Sequence, residues 1–193
     1  PANAETKVVA SIKPIHSLAS YLMDGVSKPG LIVDGYASPH GFALKPSHAK
    51  MLQEADLIFW VGEDLENFLE KPLKSIAKKA EKIELMEIKG LNKLKFRERN
   101  IFDGHDDHGH DDEHKEDGHD DHAKKEDDHG HDDEHKEDGH DDHGHEGHAH
   151  GEYDPHIWLD PSNAKVILKE MAEHLIEKDQ TNASVYKSNL KKA

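Results

Sequence analysis

The 193-residue chain contains no cysteine. That excludes disulfide frameworks and every zinc site built on thiolate, while leaving the redox compartment open. Aromatic residues are scarce, at 6% with only 2 Trp. No apolar run approaches the ~20 residues that cross a bilayer, so no membrane span is expected. Basic residues are outnumbered, 25 Lys and Arg against 41 Asp and Glu, for a formal charge of −16. Such a balance argues against nucleic acid as a partner and for attraction of cations. Catalytic signatures are missing too: there is no HExxH, no phosphate-binding glycine loop, no GxGxxG and no Ser-His-Asp order, so no enzyme is expected.

What the chain has in excess is histidine. Of its 19 histidines, 14 lie between Gly104 and His150, interleaved with Asp and Glu: His105, His108, His110, His114, His119, His122, His129, His131, His135, His140, His143, His145, His148 and His150. The run HGHDDEHKEDGHDDH occurs from His108 to His122 and again from His129 to His143, a period of 21 residues. Residues 103–150 carry 21 acidic and 4 basic side chains, whereas the other 145 residues hold 20 acidic and 21 basic. The acidity therefore belongs to an insert and not to the fold around it.

From Gly104 to His150 no apolar residue exceeds Ala in size. The stretch cannot bury enough surface to offset its ordering entropy, and disorder is expected without a ligand. Neutral imidazole and carboxylate are, however, ligands of zinc and similar divalent metals. A solvated acidic spacer, or slippage of a short repeat, is the bland alternative, but an inert spacer has no need of histidine. Many His/Asp combinations serve equally well, so the insert is expected to hold several ions weakly and exchangeably. With no Cys and 4 Met, a soft Cu(I) site is disfavoured; Zn, Ni, Cu(II) and Co suit imidazole with carboxylate.

Taken in order, the flanking residues alternate strand and helix. Pro1–Glu5 resembles the small-residue end of a processed export signal. Lys7–Ile12 is a β-branched strand. Pro14 opens a helix with Ile15, Leu18, Ala19, Leu22 and Met23 on one face, closed at Asp24-Gly25. Gly30–Val33 is a second strand, followed by a turn-rich loop from Asp34 to Gly41. Pro46-Ser47 starts a helix to Ala55. Asp56–Gly62 is the clearest strand, and Glu66–Lys79 a helix that Pro72 should limit or kink. Lys82–Met86 is a fourth strand, and residues 88–102 read as irregular. Past the insert, Asp160 caps and Pro161 opens a helix to about Lys178. Thr181 or Asn182 caps another, through Val185, Tyr186 and Leu190, which is expected to continue beyond Ala193. Continuous rather than alternating apolar strands mark a parallel sheet covered on both faces. Ligands of such sheets sit beyond the carboxyl ends of the strands.

Five histidines remain. His174, flanked by charge on a helix, reads as a surface residue, and His16 as a packing or capping residue. His48, near a helix start, fits either role. His40 and His156 differ: each follows a proline in a short loop, Ser-Pro-His and Asp-Pro-His. Proline restricts its own φ and its predecessor, so both imidazoles are presented on stiff backbone. Ligands fixed in advance lose less entropy on binding metal. The two are candidates for one shared ion, against the alternative of loop residues that never meet.

KVVASIKPIHSLAS, GYASPHGFALKPSHAKMLQEADLIFWVGEDLENFLEKPL, the acidic His-rich run and DPHIWLDPSNA, in that order, resemble the periplasmic zinc-binding proteins of bacterial high-affinity zinc uptake, the ZnuA type of ABC-transporter solute-binding protein. The resemblance covers nearly the whole chain. It implies two α/β lobes joined by a long helix, with metal between them. It implies His40 and His156 as first-lobe ligands, a third His with an acidic residue or water from the second lobe, and a His-rich insert at the cleft mouth that captures or senses zinc. The expected organisation is then an N-terminal α/β lobe over 1–102, with about four parallel strands covered by helices. A disordered insert follows over 103–152. The end of the lobe and the start of the interlobe helix occupy 153–193, with no second lobe. The implied cargo is Zn2+, the partner an inner-membrane permease, the compartment the periplasm and the state a monomer. Manganese receptors of this family carry more carboxylate at the site and lack such an insert, which favours zinc. The competing reading is a metal buffer or chaperone that acts through the insert, with the lobe as its anchor.

Overall fold

The structure is a computed structural model, and it describes residues 5–96 and 151–193. Residues 1–4 and the His-rich segment lie outside the described residues, and with them the expectations of an export-signal remnant, of disorder and of the 14 auxiliary metal ligands.

Four strands, β1 (Val8–Ile12), β2 (Gly30–Val33), β3 (Leu57–Trp60) and β4 (Glu81–Glu84), form one parallel sheet in the order β2-β1-β3-β4. The expected strands are present, the last displaced by a residue and continued as a 3₁₀ turn, Leu85–Glu87. The central β1 and β3 are buried along their whole length, as continuous apolar runs require. In β4 only Ile83 is fully buried, because this strand closes the edge of the sheet.

The helices are α1 (Lys13–Leu22), α2 (Pro46–Glu54), α3 (Glu63–Ser75), α4 (Pro161–Lys178) and α5 (Ala183–Lys192). In α1, Ile15, Ala19 and Leu22 recur at helical spacing and are fully buried. Gly25, at φ 83°, then turns the chain where a side chain would be strained. The packing of α5 onto α1 is held by Asn189, whose amide donates to Leu22 O and Asp24 O, both at 2.9 Å. These are carbonyls left without partners at a helix end. Tyr186 is fully buried beside them, and its hydroxyl donates to Asp179 at 2.8 Å.

Helix α3 starts three residues before the expected position. Gly62, at φ 154°, reverses the chain where a Cβ would lie 3.0 Å from Glu84 Oε1. Glu63 and Asp64 then occupy the first turn, where the helix dipole favours acids. Pro72 limits the helix and does not kink it: α3 ends at Ser75, short of the expected Lys79, and the non-helical residue inside it is Glu66, at φ −123° and ψ 49°.

The strand order places the topological switch between β1 and β3, where their carboxyl ends diverge into α1 and α3. Here sits a buried acid. Glu66 Oε2 accepts the Val61 and Gly62 N–H groups at 2.7 and 3.1 Å. Its Oε1 and the Ser11 hydroxyl are buried without a hydrogen bond of good geometry. Burial pushes the Glu66 carboxyl up to about 7, against the opposing pull of Ser11 and the two N–H groups.

Candidate functional site

The His40 loop leaves the carboxyl end of β2. Ser38 is extended, and its hydroxyl accepts the His40 N–H at 3.2 Å. With Pro39 fixing φ, this locks a one-turn 3₁₀ segment, Pro39–Gly41. Phe42 anchors the turn, its ring 5.3 Å from those of His48 in α2 and Phe68 in α3. The backbone is held on both sides while the His40 side chain is exposed.

His156 is fixed from the other end of the chain. Pro155 and Ile157 are buried on either side of it. The buried Asn163 accepts the Asn92 N–H at 2.7 Å and donates to Asn92 O and Ile157 O at 2.9 and 3.1 Å. Asp160 caps α4, accepting the Ser162 N–H at 2.8 Å, with Pro161 at the first position. Its carboxyl is held below the usual range by the Ser162 hydroxyl, then by the Ser162 N–H. Upstream, Asp154 Oδ1 lies 2.9 Å from the His156 backbone nitrogen and 2.6 Å from its Nδ1. The backbone contact is the first cause of a lowered Asp154 pKa, the ring the next favourable one.

The structure brings the two rings together. The centroids of His40 and His156 are 5.6 Å apart at 49°. Two imidazoles bound tetrahedrally to one zinc at ~2.0–2.1 Å have ligating nitrogens roughly 3.3 Å and centroids roughly 5 Å apart. The observed centroid separation is close to that spacing. The two loop histidines do meet in the fold. Trp158 packs on His156, ring to ring at 5.3 Å. A concavity of about 210 Å³ adjoins His156, lined by Asn92, Leu94, Asp154, Ile157, Leu159 and Asp160 among others; His40 is not part of its lining. Among the described residues no third His, Asp, Glu or Cys completes a metal cluster.

The other described histidines, His16, His48 and His174, are held by contacts within the fold. His48 is buried at the third position of α2, and its Nδ1 accepts the Lys45 N–H at 3.1 Å, as a capping residue does. His16 Nε2 is paired with Pro29 O at 3.0 Å. His174 is not a free surface residue: its Nδ1 meets Glu81 at 2.8 Å and its Nε2 meets Glu170 at 3.4 Å, tying α4 to the start of β4. The sequence reading passed over Asp154, Trp158 and Asn163. For Asp154 a signal existed, an acid two residues before a candidate ligand. For Asn163 none did, since its partner is 71 residues away.

Comparison with known proteins agrees with this architecture. Residues 8–193 match the family model described as zinc-uptake complex component A, periplasmic (ZnuA). The high-affinity zinc uptake system protein ZnuA of Brucella abortus is 47% identical over 184 residues, 95% of this chain and 52% of the relative. The Yersinia pestis protein of the same name is 33% identical over 195 residues, covering 98% and 52%. This chain thus spans about half the length of the curated relatives it matches. Among solved structures, a Mn-bound periplasmic metal binding protein from Candidatus Liberibacter asiaticus superposes with a TM-score of 0.64 at 18% identity, over 97% of this chain and 51% of that one. The metal-dependent lipoprotein YcdH from Bacillus subtilis gives 0.61 at 18%, over 97% and 50%. These two establish the α/β fold, and the family match with the closer relatives establishes descent: the chain belongs to the ZnuA family of periplasmic zinc-uptake components.

Proposed function

We propose that this chain is the zinc-capturing N-terminal lobe of a periplasmic receptor that delivers Zn2+ to the inner-membrane permease of an ABC-type importer. The observation that carries the reading is the approach of His40 and His156, two imidazoles on rigid backbone beyond the carboxyl ends of the strands. The names of the relatives support zinc as cargo. No chemical transformation is part of the proposal; the ion is bound, held and released.

Two imidazoles fill half of a tetrahedral zinc shell. The other positions are open to water or to ligands from the half of the relatives' length that this chain does not match. Binding weakens in acid, because each ligand imidazole must be neutral. The lobe is assigned the described residues 5–96 and 151–193, with Glu152 joined to it by the Phe96 N–H instead of belonging to the insert as expected; the acidic His-rich stretch between is assigned to the insert, whose charge attracts cations. The receptor acts as a monomer toward its permease.

A second reading, a zinc buffer or chaperone working through the insert, is favoured by the 14 histidines packed into it. Calorimetric titration of zinc into a chain lacking residues 104–150 separates the two. The receptor reading predicts one site that survives the deletion and is lost with His40→Ala. Loss of all binding on deletion favours the buffer.

A further inference from the structure

We propose that Asp154 is a positioning residue for zinc capture: its carboxylate holds the His156 imidazole as the Nδ1–H tautomer, leaving the Nε2 lone pair free for the ion. This rests on the reading of His156 as a ligand.

The carboxylate is itself fixed by the fold. Leu94–Phe96 and Glu152–Asp154 run as a short antiparallel ribbon. Lys95 bridges Tyr153, the Phe96 N–H donates to Glu152 O at 3.4 Å, and the Asp154 N–H donates to Leu94 O at 2.8 Å. Lys95 also pairs with Glu152 at 2.5 Å. The ribbon sets the Asp154 backbone, and the Asp154 side chain sets His156 by two contacts to one oxygen, at 2.9 Å to the main chain and 2.6 Å to the ring.

A neutral imidazole has one N–H and one lone pair, and the partner of one nitrogen decides which is which. A carboxylate accepts only, so the Nδ1 facing it carries the proton and Nε2 is left to ligate. Outer carboxylates of this kind orient metal-binding histidines and raise their basicity, and losing one typically costs 10–100-fold in affinity. Trp158 meets the imidazole at a 58° tilt, with centroids 5.3 Å apart.

The test uses the full chain, ¹⁵N-labelled at histidine, at pH 8. His156 ring signals are assigned by their loss in His156→Gln. Without metal, the wild-type shifts report the Nδ1–H tautomer, and Asp154→Ala moves the ring toward the Nε2–H form that predominates in free imidazole side chains. Asp154→Asn, which keeps a carbonyl acceptor, restores Nδ1–H. Zinc is then titrated against a competing chelator, with the His156 signal reporting that site apart from the insert. Half-saturation shifts 10–100-fold with Asp154→Ala, and most of the loss returns with Asp154→Asn. A metal-free wild-type ring protonated at Nε2 overturns the proposal. So does an Asp154→Ala variant that keeps both tautomer and affinity. Zinc that never moves the wild-type His156 signal is a different failure, because it refutes His156 as a ligand and removes the basis of the proposal with it.

Discussion

Replacing Glu66 with Gln tests the reading of the switch point between β1 and β3. The native carboxyl is buried, bound to two backbone N–H groups through one oxygen, and raised from 4.5 to about 7 with burial as the leading cause. A carboxyl whose pKa is higher in the folded state binds its proton more tightly there than in the unfolded chain. The stability it contributes is complete below the unfolded value of 4.5 and is lost as pH rises through about 7. At about 1.4 kcal/mol for each pH unit of that window, the loss amounts to roughly 3 kcal/mol. Glu66→Gln keeps an acceptor for Val61 and Gly62 and carries no charge at any pH. Urea unfolding of both proteins at pH 4.5, 6 and 7.5 gives the comparison. Wild-type stability relative to the variant should fall by roughly 3 kcal/mol across the series. Glu54, Glu70, Asp154 and Asp160, with lowered pKa values, titrate in the opposite sense at lower pH, but they are common to both proteins and cancel in the difference. Parallel stability curves would refute the argument, because they would mean that the Glu66 proton costs the same folded and unfolded.

Three further outcomes follow from the geometry around the site. Asn163→Ala removes the amide that joins Asn92 to the Ile157 turn and leaves buried backbone groups unpaired; chemical denaturation should show a loss of roughly 2–4 kcal/mol. His48→Ala removes the acceptor for the Lys45 N–H and part of the Phe42 packing, costing about 1–2 kcal/mol in the same assay. It should leave the number of zinc sites on the insert-deleted chain unchanged by calorimetry, since His48 is buried and its Nδ1 is taken by the Lys45 N–H. Tyr186→Phe deletes only the hydroxyl donating to Asp179; a loss of about 1 kcal/mol in thermal unfolding is expected, with helical circular dichroism unchanged.

Much of this arrangement was legible in the residues. The apolar runs KVVASI and LIFW became the two central strands because a doubly covered sheet needs no polar alternation. Proline at Pro14, Pro46 and Pro161 marked helix starts, since its missing N–H costs nothing there. The pairing of His40 with His156 was readable as a possibility from two Pro-His loops, and the fold supplied the rest. The start of α3 was misread because acids suit a first turn as well as a loop. Pro72 limits the helix, which ends one turn later at Ser75, while the irregular residue is Glu66, whose carboxyl folds back onto the strand end. The cap formed by His48 was accessible from its spacing three residues after Lys45. The contacts of His174 with Glu81, 93 positions apart, depend on the packing of α4 against the edge strand, which no local pattern encodes.

The central claim is that His40 and His156 hold one ion between them. The most direct measurement is ring-nitrogen NMR of the chain lacking residues 104–150, labelled at histidine and titrated with zinc. The account predicts that His40 and His156 shift together and saturate at a single equivalent, while His16, His48 and His174 stay in place. Saturation of either ring without the other, or zinc drawn first to one of the remaining three, would contradict it.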